Sequence, residues 1–284
     1  MAINSNQVTR KDSFSDIDLN KTHIMGILNV TPDSFSDGGK YLDVEKAVSH
    51  ALQMEKDGAY IIDVGGESSR PGTDPVSEKI ELSRVLPVIE GIRKKSHILI
   101  SIDTYKSAVA EKALQAGADV INDISGLRWD PEMPDVAREF ECPVVVMHMK
   151  GTPKTMQKNP SYKDVCKEVN QFFTERIDSL GKLGINKIIL DPGIGFGKRL
   201  QDNLALIHNC DIFRQHGLPL LVGPSRKSFI GMITGRPEDN RLSGTLAIVQ
   251  DLVRKGVAMV RVHDVRETAD FLKVMTSLDR SNEA

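Results

Sequence analysis

Several ionisable side chains stand directly after short apolar segments, where a buried strand would end. Asp103, Asn122 and Asp191 follow three of these segments and offer acceptors together with one amide. A carboxylate accepts a pair of hydrogen bonds well from a planar donor edge, as in guanidine-like groups and 2-aminopyrimidinones. The cations and the imidazole that suit phosphate oxygens are Arg70, Lys227, Arg261 and His263. The pattern predicts a site for a planar heterocycle with a phosphate at one side.

Two polar residues of the same kind have a structural explanation as well. Asp63 precedes two glycines, so it either binds a ligand or fixes its own loop. His148 either contacts a ligand or is a hydrogen-bonded structural histidine. The sequence leaves both alternatives open. Polar residues at the ends of all eight apolar segments would nevertheless cost stability without a ligand, which favours a binding site on their common rim.

The glycine-rich loop at 193–198 matches neither common nucleotide-binding pattern. Its spacing is not that of a Walker A loop, and no Ser or Thr follows Lys198. No His-Glu-x-x-His run and no Cys–His ligand spacing indicates a zinc site. A Mg²⁺ ion bound through substrate phosphates needs only one or two protein ligands, so the sequence does not exclude it.

The elements that position these residues are short apolar segments rich in β-branched residues, which alternate with longer amphipathic stretches. The eight segments lie at 24–28, 60–62, 98–102, 119–121, 144–147, 187–190, 218–222 and 257–260. Helical spacing is clear at 42–56, 106–116, 165–180 and 245–252. Continuous apolar segments of this length are typical of parallel strands buried on both faces. The pattern predicts a single-domain α/β fold, the (β/α)8 TIM barrel; the alternative is a doubly wound open sheet.

Composition narrows the possible partners. The chain has 284 residues, 40% hydrophobic and 27% charged, with a formal net charge of −2. This balance predicts a soluble protein without nucleic-acid or membrane partners. Residues 1–20 are polar and without pattern, so we predict a mobile tail there and the barrel domain at 21–284. The absence of a signal-like apolar segment and the three scattered cysteines predict a cytoplasmic protein.

The strand-end segments together resemble one family, the dihydropteroate synthases, which are pterin-binding barrel enzymes of folate biosynthesis. The segments that carry the resemblance lie at 26–39, 63–72, 101–104, 121–126, 146–149, 191–197, 225–231 and 261–265. Each motif alone is modest, but all eight in this order are highly specific, and they span about residues 24–275. One departure is Ser69, where many members have threonine; the hydroxyl is kept.

The resemblance implies a reaction and a set of residue roles. The family joins p-aminobenzoate to a dihydropterin pyrophosphate and releases pyrophosphate, with Mg²⁺ as cofactor and a homodimer as assembly. The implied pterin ligands are Asp103, Asn122, Asp191 and Lys227. The implied pyrophosphate ligands are Asn29, Arg70, Arg261 and His263, with Asn29 also on the metal. The implied p-aminobenzoate ligands are Ser69, Pro71, Phe196 and Ser228. The implied catalytic residues are Lys227, Asp37, Arg261 and His263.

Three other functions remain as alternatives at this stage. Lys227 beside Arg226 could form a Schiff base, as in aldolase-type barrels. A methyltetrahydrofolate-binding methyltransferase module shares the pterin acids and the asparagine, but it has no need of Arg70, Arg261 and His263 for pyrophosphate. A pterin-binding scaffold without chemistry would show eroded loops, and the loops of this sequence match the motifs.

Overall fold

Each segment predicted as a strand is a strand of one parallel sheet in the computed structural model, which describes residues 17–19, 21–31 and 39–281. The strands are β1 (His23–Asn29), β2 (Ile61–Gly65), β3 (Leu99–Asp103), β4 (Val120–Asp123), β5 (Val144–Met147), β6 (Ile188–Asp191), β7 (Leu221–Val222) and β8 (Met259–Val262). The predicted mobile tail at 1–20 falls almost entirely outside the described residues and stays a prediction.

The sheet curls into a nearly closed barrel. The strand order is β6-β5-β4-β3-β2-β1-β8-β7, so the first strand lies inside the sheet and pairs with β2 and β8. The two ends of this order meet at a parallel bridge between Leu190 and Leu220. The N–H of Leu190 donates to the carbonyl oxygen of Pro219 at 2.9 Å. The barrel prediction is therefore confirmed, and the open-sheet alternative is wrong.

The seventh strand is shorter than predicted. The apolar segment at 218–222 forms only two residues of regular strand, Leu221–Val222. Pro219 has no N–H to donate to a neighbouring strand, which limits regular pairing at this position. The seam between β6 and β7 is thus the least regular part of the barrel.

Helices follow the strands and cover the outside of the barrel. They are α1 (Gly39–Lys56), α2 (Glu78–Arg93), α3 (Ser107–Gln115), α4 (Met133–Glu139), α5 (Val165–Lys182), α6 (Leu200–His208), α7 (Ser228–Thr234), α8 (Leu242–Arg254) and α9 (Val265–Ser281). The four helices predicted from spacing are confirmed with slightly different ends. None of the helices in the described ranges is long and apolar enough to cross a membrane.

The barrel interior has an apolar layer below a polar one. The apolar cluster contains one residue from every strand: Met25, Ile61, Leu99, Val120, Val145, Ile189, Leu221 and Met259. Residues two positions further along a strand point to the same face. That step leads from Ile61 to Asp63, from Val120 to Asn122, from Ile189 to Asp191 and from Met259 to Arg261, all polar residues of the rim. The ring of apolar residues therefore forms a floor above which the polar side chains gather.

Candidate active site

Asp63 lies at the centre of the polar layer and is fully buried. Its Oδ2 accepts hydrogen bonds from Nδ2 of Asn122 at 3.0 Å and from Nε of Arg261 at 2.6 Å. Its Oδ1 accepts from the hydroxyl of Ser101. These partners come from three other strands and not from the loop that follows Asp63. Its carboxylate therefore organises the pocket rather than its own loop.

The bond to Asp63 also fixes the orientation of the Asn122 side chain. Nδ2 is the atom that donates to Asp63, so the amide group presents Oδ1 away from that carboxylate. A buried amide with one side committed offers a defined acceptor to a ligand. Asn122 is 4% exposed, so this orientation is set inside the protein rather than by solvent.

Two carboxylates of the pocket stand in surroundings that disfavour their charge. Burial raises the pKa of Asp103 to about 7, although the nearby Arg261 opposes the shift. Nη2 of Arg261 donates to Oδ2 of Asp103 at 2.7 Å. Burial also raises the pKa of Asp191, whose Oδ1 accepts the N–H of Gly193 at 2.7 Å. Buried acids with shifted pKa values in one cavity are typical of functional sites.

Lys227 brings a cation to the same place from the start of α7. Its Nζ lies 4.2 Å from the centre of the Phe196 ring, a distance at which a cation is attracted to an aromatic face. Burial, and after it the charge of Arg261, lowers the pKa of Lys227 to about 8. The lysine therefore carries its charge at neutral pH in a site that makes that charge costly.

Most of the predicted residues line one small cavity of about 20 Å³. Its walls are formed by Ser69, Asp103, Asn122, Ile124, Met147, Asp191, Ile194, Phe196, Gly223, Lys227 and Arg261. The four implied pterin ligands are all in this set, together with Ser69, Phe196 and Arg261. Ser228 instead lines a neighbouring cavity of about 430 Å³, which also contacts Gly195 and Lys198.

His263 lies just beyond β8, two residues from Arg261. The Oγ of Ser225 is 2.9 Å from its Nδ1 and accepts the backbone N–H of His263 at 3.1 Å. Burial, and after it the charge of Arg261, lowers the pKa of His263 to about 3. The imidazole is therefore neutral near pH 7. Since Nδ1 is engaged with Ser225, Nε2 is the ring nitrogen left to meet a ligand.

Arg70 and Pro71 lie outside this cluster. Nη2 of Arg70 donates to Oε1 of Glu238 at 2.7 Å, and both side chains are largely exposed. Pro71 is exposed on the same loop. Asn29 is the last residue of β1, and both its Oδ1 and the side chain of Asp103 lie close to Gly65. The predicted catalytic residue Asp37 lies outside the described residues.

Lys198 is a structural member of the site that the sequence reasoning did not identify. It is 3% exposed, and its Nζ donates to the carbonyl oxygens of Gly193 at 2.9 Å and Phe196 at 3.0 Å. It also lies 3.1 Å from Nδ1 of His148, which accounts for that histidine as a structural residue. The available signal was a lysine directly after the glycine-rich loop. Its effect is to hold the loop that follows Asp191 and carries Phe196.

The rim residues suit a Mg²⁺ ion only when substrate phosphates and water supply most of its ligands. No group of three or more His, Cys, Asp or Glu side chains in the described part of the chain is arranged to hold a metal. Asn29 offers a single amide oxygen at the rim. Mg²⁺ bound mainly by substrate phosphates and water needs only one or two such ligands, so Asn29 fits this mode.

Fold and site together define a class of protein: a (β/α)8 barrel whose polar rim is built to hold a flat, donor-edged heterocycle beside cationic groups. The chain belongs to the family of pterin binding enzymes, whose sequence model matches residues 25–263. It is 48% identical over 263 residues to the dihydropteroate synthase of Escherichia coli strain K12, covering 92% of this chain and 93% of the relative.

Solved structures agree with this assignment. The chain superposes on a dihydropteroate synthase of Yersinia pestis in complex with a sulfonamide drug with a TM-score of 0.87, at 43% identity, over 93% of this chain and 96% of the other. A dihydropteroate synthase of Xanthomonas albilineans with 4-aminobenzoic acid gives a TM-score of 0.86 at 42% identity, over 92% and 94% of the two chains.

Proposed function

We infer that the chain catalyses the reaction of the dihydropteroate synthases. It condenses 6-hydroxymethyl-7,8-dihydropterin pyrophosphate with p-aminobenzoate, giving 7,8-dihydropteroate and pyrophosphate in folate biosynthesis. The observation that carries this function is the gathering of Asp103, Asn122, Asp191 and Lys227 around one buried cavity. Each comes from a different part of the barrel, and together they match the polar edges of a pterin.

The pterin is held by the polar side chains above the apolar floor. The carboxylates of Asp103 and Asp191 accept hydrogen bonds from the amidine-like edge of the heterocycle, because a carboxylate matches such a planar donor pair. Asn122 presents its fixed amide oxygen to the same ring. Lys227 donates from the side and lies between the pterin and the second substrate.

The pyrophosphate lies at the cationic side of the rim. Arg261 lies near the end of β8 and His263 just beyond it, and the neutral imidazole of His263 would donate a hydrogen bond from Nε2. Arg70 completes this group after exchanging Glu238 for the pyrophosphate, since the exposed Arg70–Glu238 pair is weak. Asn29 would hold a Mg²⁺ ion, which would neutralise negative charge on the departing pyrophosphate.

The p-aminobenzoate lies towards the second rim loop and α7. Ser69 and Phe196 line the pterin cavity, and Ser228 lines the larger cavity beside it, so the amine would extend from one to the other. Pro71 covers this side from the exposed loop. The Xanthomonas albilineans relative was solved with 4-aminobenzoic acid, which supports this second substrate.

The chemical step is an SN1-like substitution at the methylene carbon. The C–O bond breaks first, and the pyrophosphate leaves with the electron pair. The pterin ring, which is hydrogen-bonded to Asp103 and Asp191, delocalises the positive charge left on the carbon. The amine nitrogen then forms the C–N bond and loses a proton to solvent or product. Arg261, His263 and Lys227 act by stabilising charge, which needs no strong base. Asp37, on the first rim loop, is proposed to stabilise or shield the cation.

Positional isotope exchange tests the order of these events. We expect oxygen label to scramble within the pyrophosphate of the substrate when the amine is absent. Absence of scrambling, with no dihydropterin cation detectable, would contradict ionisation before attack.

We propose further that the protein is a cytoplasmic homodimer. The resemblance implies a dimer through helices on one side of the barrel. In support, the contacting helices α6 and α7 expose Leu204, Met232 and Ile233 on their outer surface. Large apolar side chains exposed together are typical of interfaces.

A pyrophosphate-release assay tests the function directly. We expect release from dihydropterin pyrophosphate that depends on p-aminobenzoate and Mg²⁺. Lys227→Ala should lose about a hundredfold or more in turnover, the usual loss when a charge-stabilising donor is removed. Lys112→Ala, an exposed lysine on α3, is the control and should change turnover by less than about twofold. Covalent trapping of Lys227 by borohydride with a carbonyl substrate would favour the aldolase alternative instead.

A further inference from the structure

Glu67 belongs to the segment at 63–72 but has no role in the proposed reaction. It stands at the start of the second rim loop, residues 67–76, which carries Ser69, Arg70 and Pro71. Its Oε2 accepts the backbone N–H of Val76 at 2.9 Å. One carboxylate therefore joins the first and last residues of the loop, and the exposed tip lies between them.

The carboxylate of Glu67 is in turn held by the connection between β3 and α3. The hydroxyl of Tyr105 donates to Oε1 at 2.8 Å, and Nζ of Lys106 donates to Oε2 at 2.6 Å. Tyr105 and Lys106 follow closely after Asp103, one of the proposed pterin ligands. Glu67 thus connects the stem of the second loop to the strand end that holds the pterin.

The same lysine has a second partner that does not touch the loop. Nζ of Lys106 donates to Oε2 of Glu81 on α2 at 2.5 Å. The side chains of Lys106, Glu67 and Glu81 are 12%, 11% and 2% exposed. Burial opposes the charge of Lys106, but its hydrogen bonds to the two carboxylates raise its pKa above the ordinary value. The lysine is charged at every working pH, so the three groups form one buried ionic cluster.

A buried ionic cluster is weak evidence for stability, because desolvation of the charges offsets much of their attraction. Glu81 alone would give Lys106 a buried counter-ion. What Glu67 adds is the bond to the backbone of Val76, which closes the loop. Two donors converge on Oε2 and the Tyr105 hydroxyl on Oε1. A glutamine could keep these contacts, with its oxygen in the place of Oε2 and its amide donating to the hydroxyl, but it would lose the negative charge that faces Lys106.

We propose that Glu67 is a positioning residue for the second rim loop: its carboxylate fixes the stem of loop 67–76 so that Ser69 and Pro71 are presented to p-aminobenzoate and Arg70 to the pyrophosphate. Glu67 contacts neither substrate. The inference rests on the proposed function for the roles of those three residues. The effect of Glu67 is confined to the half of the site that the loop forms. The pterin half is independent of the loop, because Asp103, Asn122 and Asp191 lie on strands.

The test compares Glu67→Gln with Glu81→Gln, which shares Lys106 but has no bond to the loop. For Glu67→Gln we expect the KM for p-aminobenzoate to rise about tenfold or more, the usual effect of losing a charged hydrogen bond. The affinity for 6-hydroxymethylpterin, which lacks the pyrophosphate, should stay within about twofold. Glu81→Gln should change the melting temperature and leave the KM for p-aminobenzoate within about twofold.

Hydrogen–deuterium exchange gives a readout that does not depend on catalysis. Glu67→Gln should speed exchange across residues 68–76, and Glu81→Gln should not. An inactive wild-type enzyme would overturn the proposed function, while the exchange comparison would still decide the role of Glu67. Unchanged exchange and KM in Glu67→Gln overturn the inference. So does an equal effect of Glu81→Gln, since the cluster would then act through general stability.

Discussion

Among single residues, Asp63 determines more of the pocket than its own position suggests. It is fully buried and bonds to two side chains that are proposed to meet the substrate, Asn122 and Arg261. The amide of Asn122 can present either its oxygen or its nitrogen to a ligand, and the bond to Asp63 selects the oxygen. The same carboxylate accepts a hydrogen bond from Nε of Arg261 and so fixes the position of its guanidinium. Asp63 therefore sets the hydrogen-bonding pattern that a ligand meets.

Asp63→Asn should weaken substrate binding without unfolding the protein. The new amide nitrogen would face donors, and Arg261 would lose a charged partner. We expect the KM for dihydropterin pyrophosphate to rise about tenfold to a hundredfold, the range for a lost charged hydrogen bond. Steady-state kinetics with a thermal melt checks both effects.

Asp123→Asn is the matched control for this change. Asp123 is also a fully buried aspartate at a strand end, but its bonds go to the N–H groups of Ser125 and Leu127 in its own loop. This variant should lower the melting temperature and leave the KM within about twofold. Similar KM values for the two variants would show that Asp63 acts only through stability.

The charge of Lys227 should limit activity at alkaline pH. Because its pKa is lowered to about 8, the ammonium is present below that pH and is lost as the pH rises through it. We expect kcat/KM for dihydropterin pyrophosphate to fall over this range. Arg261, Asp191 and Asp103 are the charged groups that act on Lys227 in the site.

Lys227→Arg separates this charge from other effects in the pH–rate profile. A guanidinium stays protonated well above pH 8. The fall in kcat/KM should therefore begin at a higher pH, even if the rate itself is lower. His263→Gln should keep the fall, because the pKa of His263 is lowered to about 3 and the imidazole is already neutral. A fall that is lost in His263→Gln and retained in Lys227→Arg would contradict this assignment.

At the scale of elements, the loop after β6 and the turn after α5 each need a glycine, for different reasons. Gly193 has φ +67°, and a Cβ there would overlap the carbonyl oxygen of His148. Gly184, after α5, has φ +81° and no heavy atom within 4 Å of an added Cβ. The first glycine is required by space and conformation together, the second by conformation alone.

Alanine at the two glycines should therefore have different costs. We expect Gly184→Ala to lower the free energy of unfolding by about 1–2 kcal/mol, the cost of a left-handed conformation. Gly193→Ala should cost about 3 kcal/mol or more, because overpacking is added to the same strain. Urea denaturation of both variants measures the difference. Equal costs would mean that the loop shifts away from His148 without penalty.

The sequence predicted the elements well because their signals are local. Apolar segments and helical spacing located the strands, and the polar residues at strand ends located the rim. Contacts between distant residues carry no such signal. Arg70 and Glu238 are 168 positions apart, and the clusters around Asp63, Glu67 and Lys198 form only when strands and loops meet. The length of the seventh strand was predicted wrongly. The segment at 218–222 is apolar throughout, but Pro219 within it has no N–H for strand pairing.

For the whole molecule, the layered interior explains why the site can be polar and the fold still stable. Eight apolar residues, one from each strand, fill the barrel below the rim. Above them, Asp63 and Asp103 are paired with Arg261 across strands, so these charges do not interrupt the apolar core. The outer surface is covered by helices, and large apolar side chains are exposed on two sides of it: Leu204, Met232 and Ile233 on α6 and α7, and Val274 and Leu278 on α9.

The proposed dimer predicts which side of the barrel is sensitive to a surface charge. Ile233 on α7 is 57% exposed and Val274 on α9 is 59% exposed, so both accept glutamate without disturbing the core. We expect the wild type to sediment as a dimer. Ile233→Glu should sediment as a monomer, because a charge buried in an interface without a partner is costly. Val274→Glu should stay dimeric. A wild-type monomer, or dissociation by Val274→Glu alone, would place the contact elsewhere or remove it.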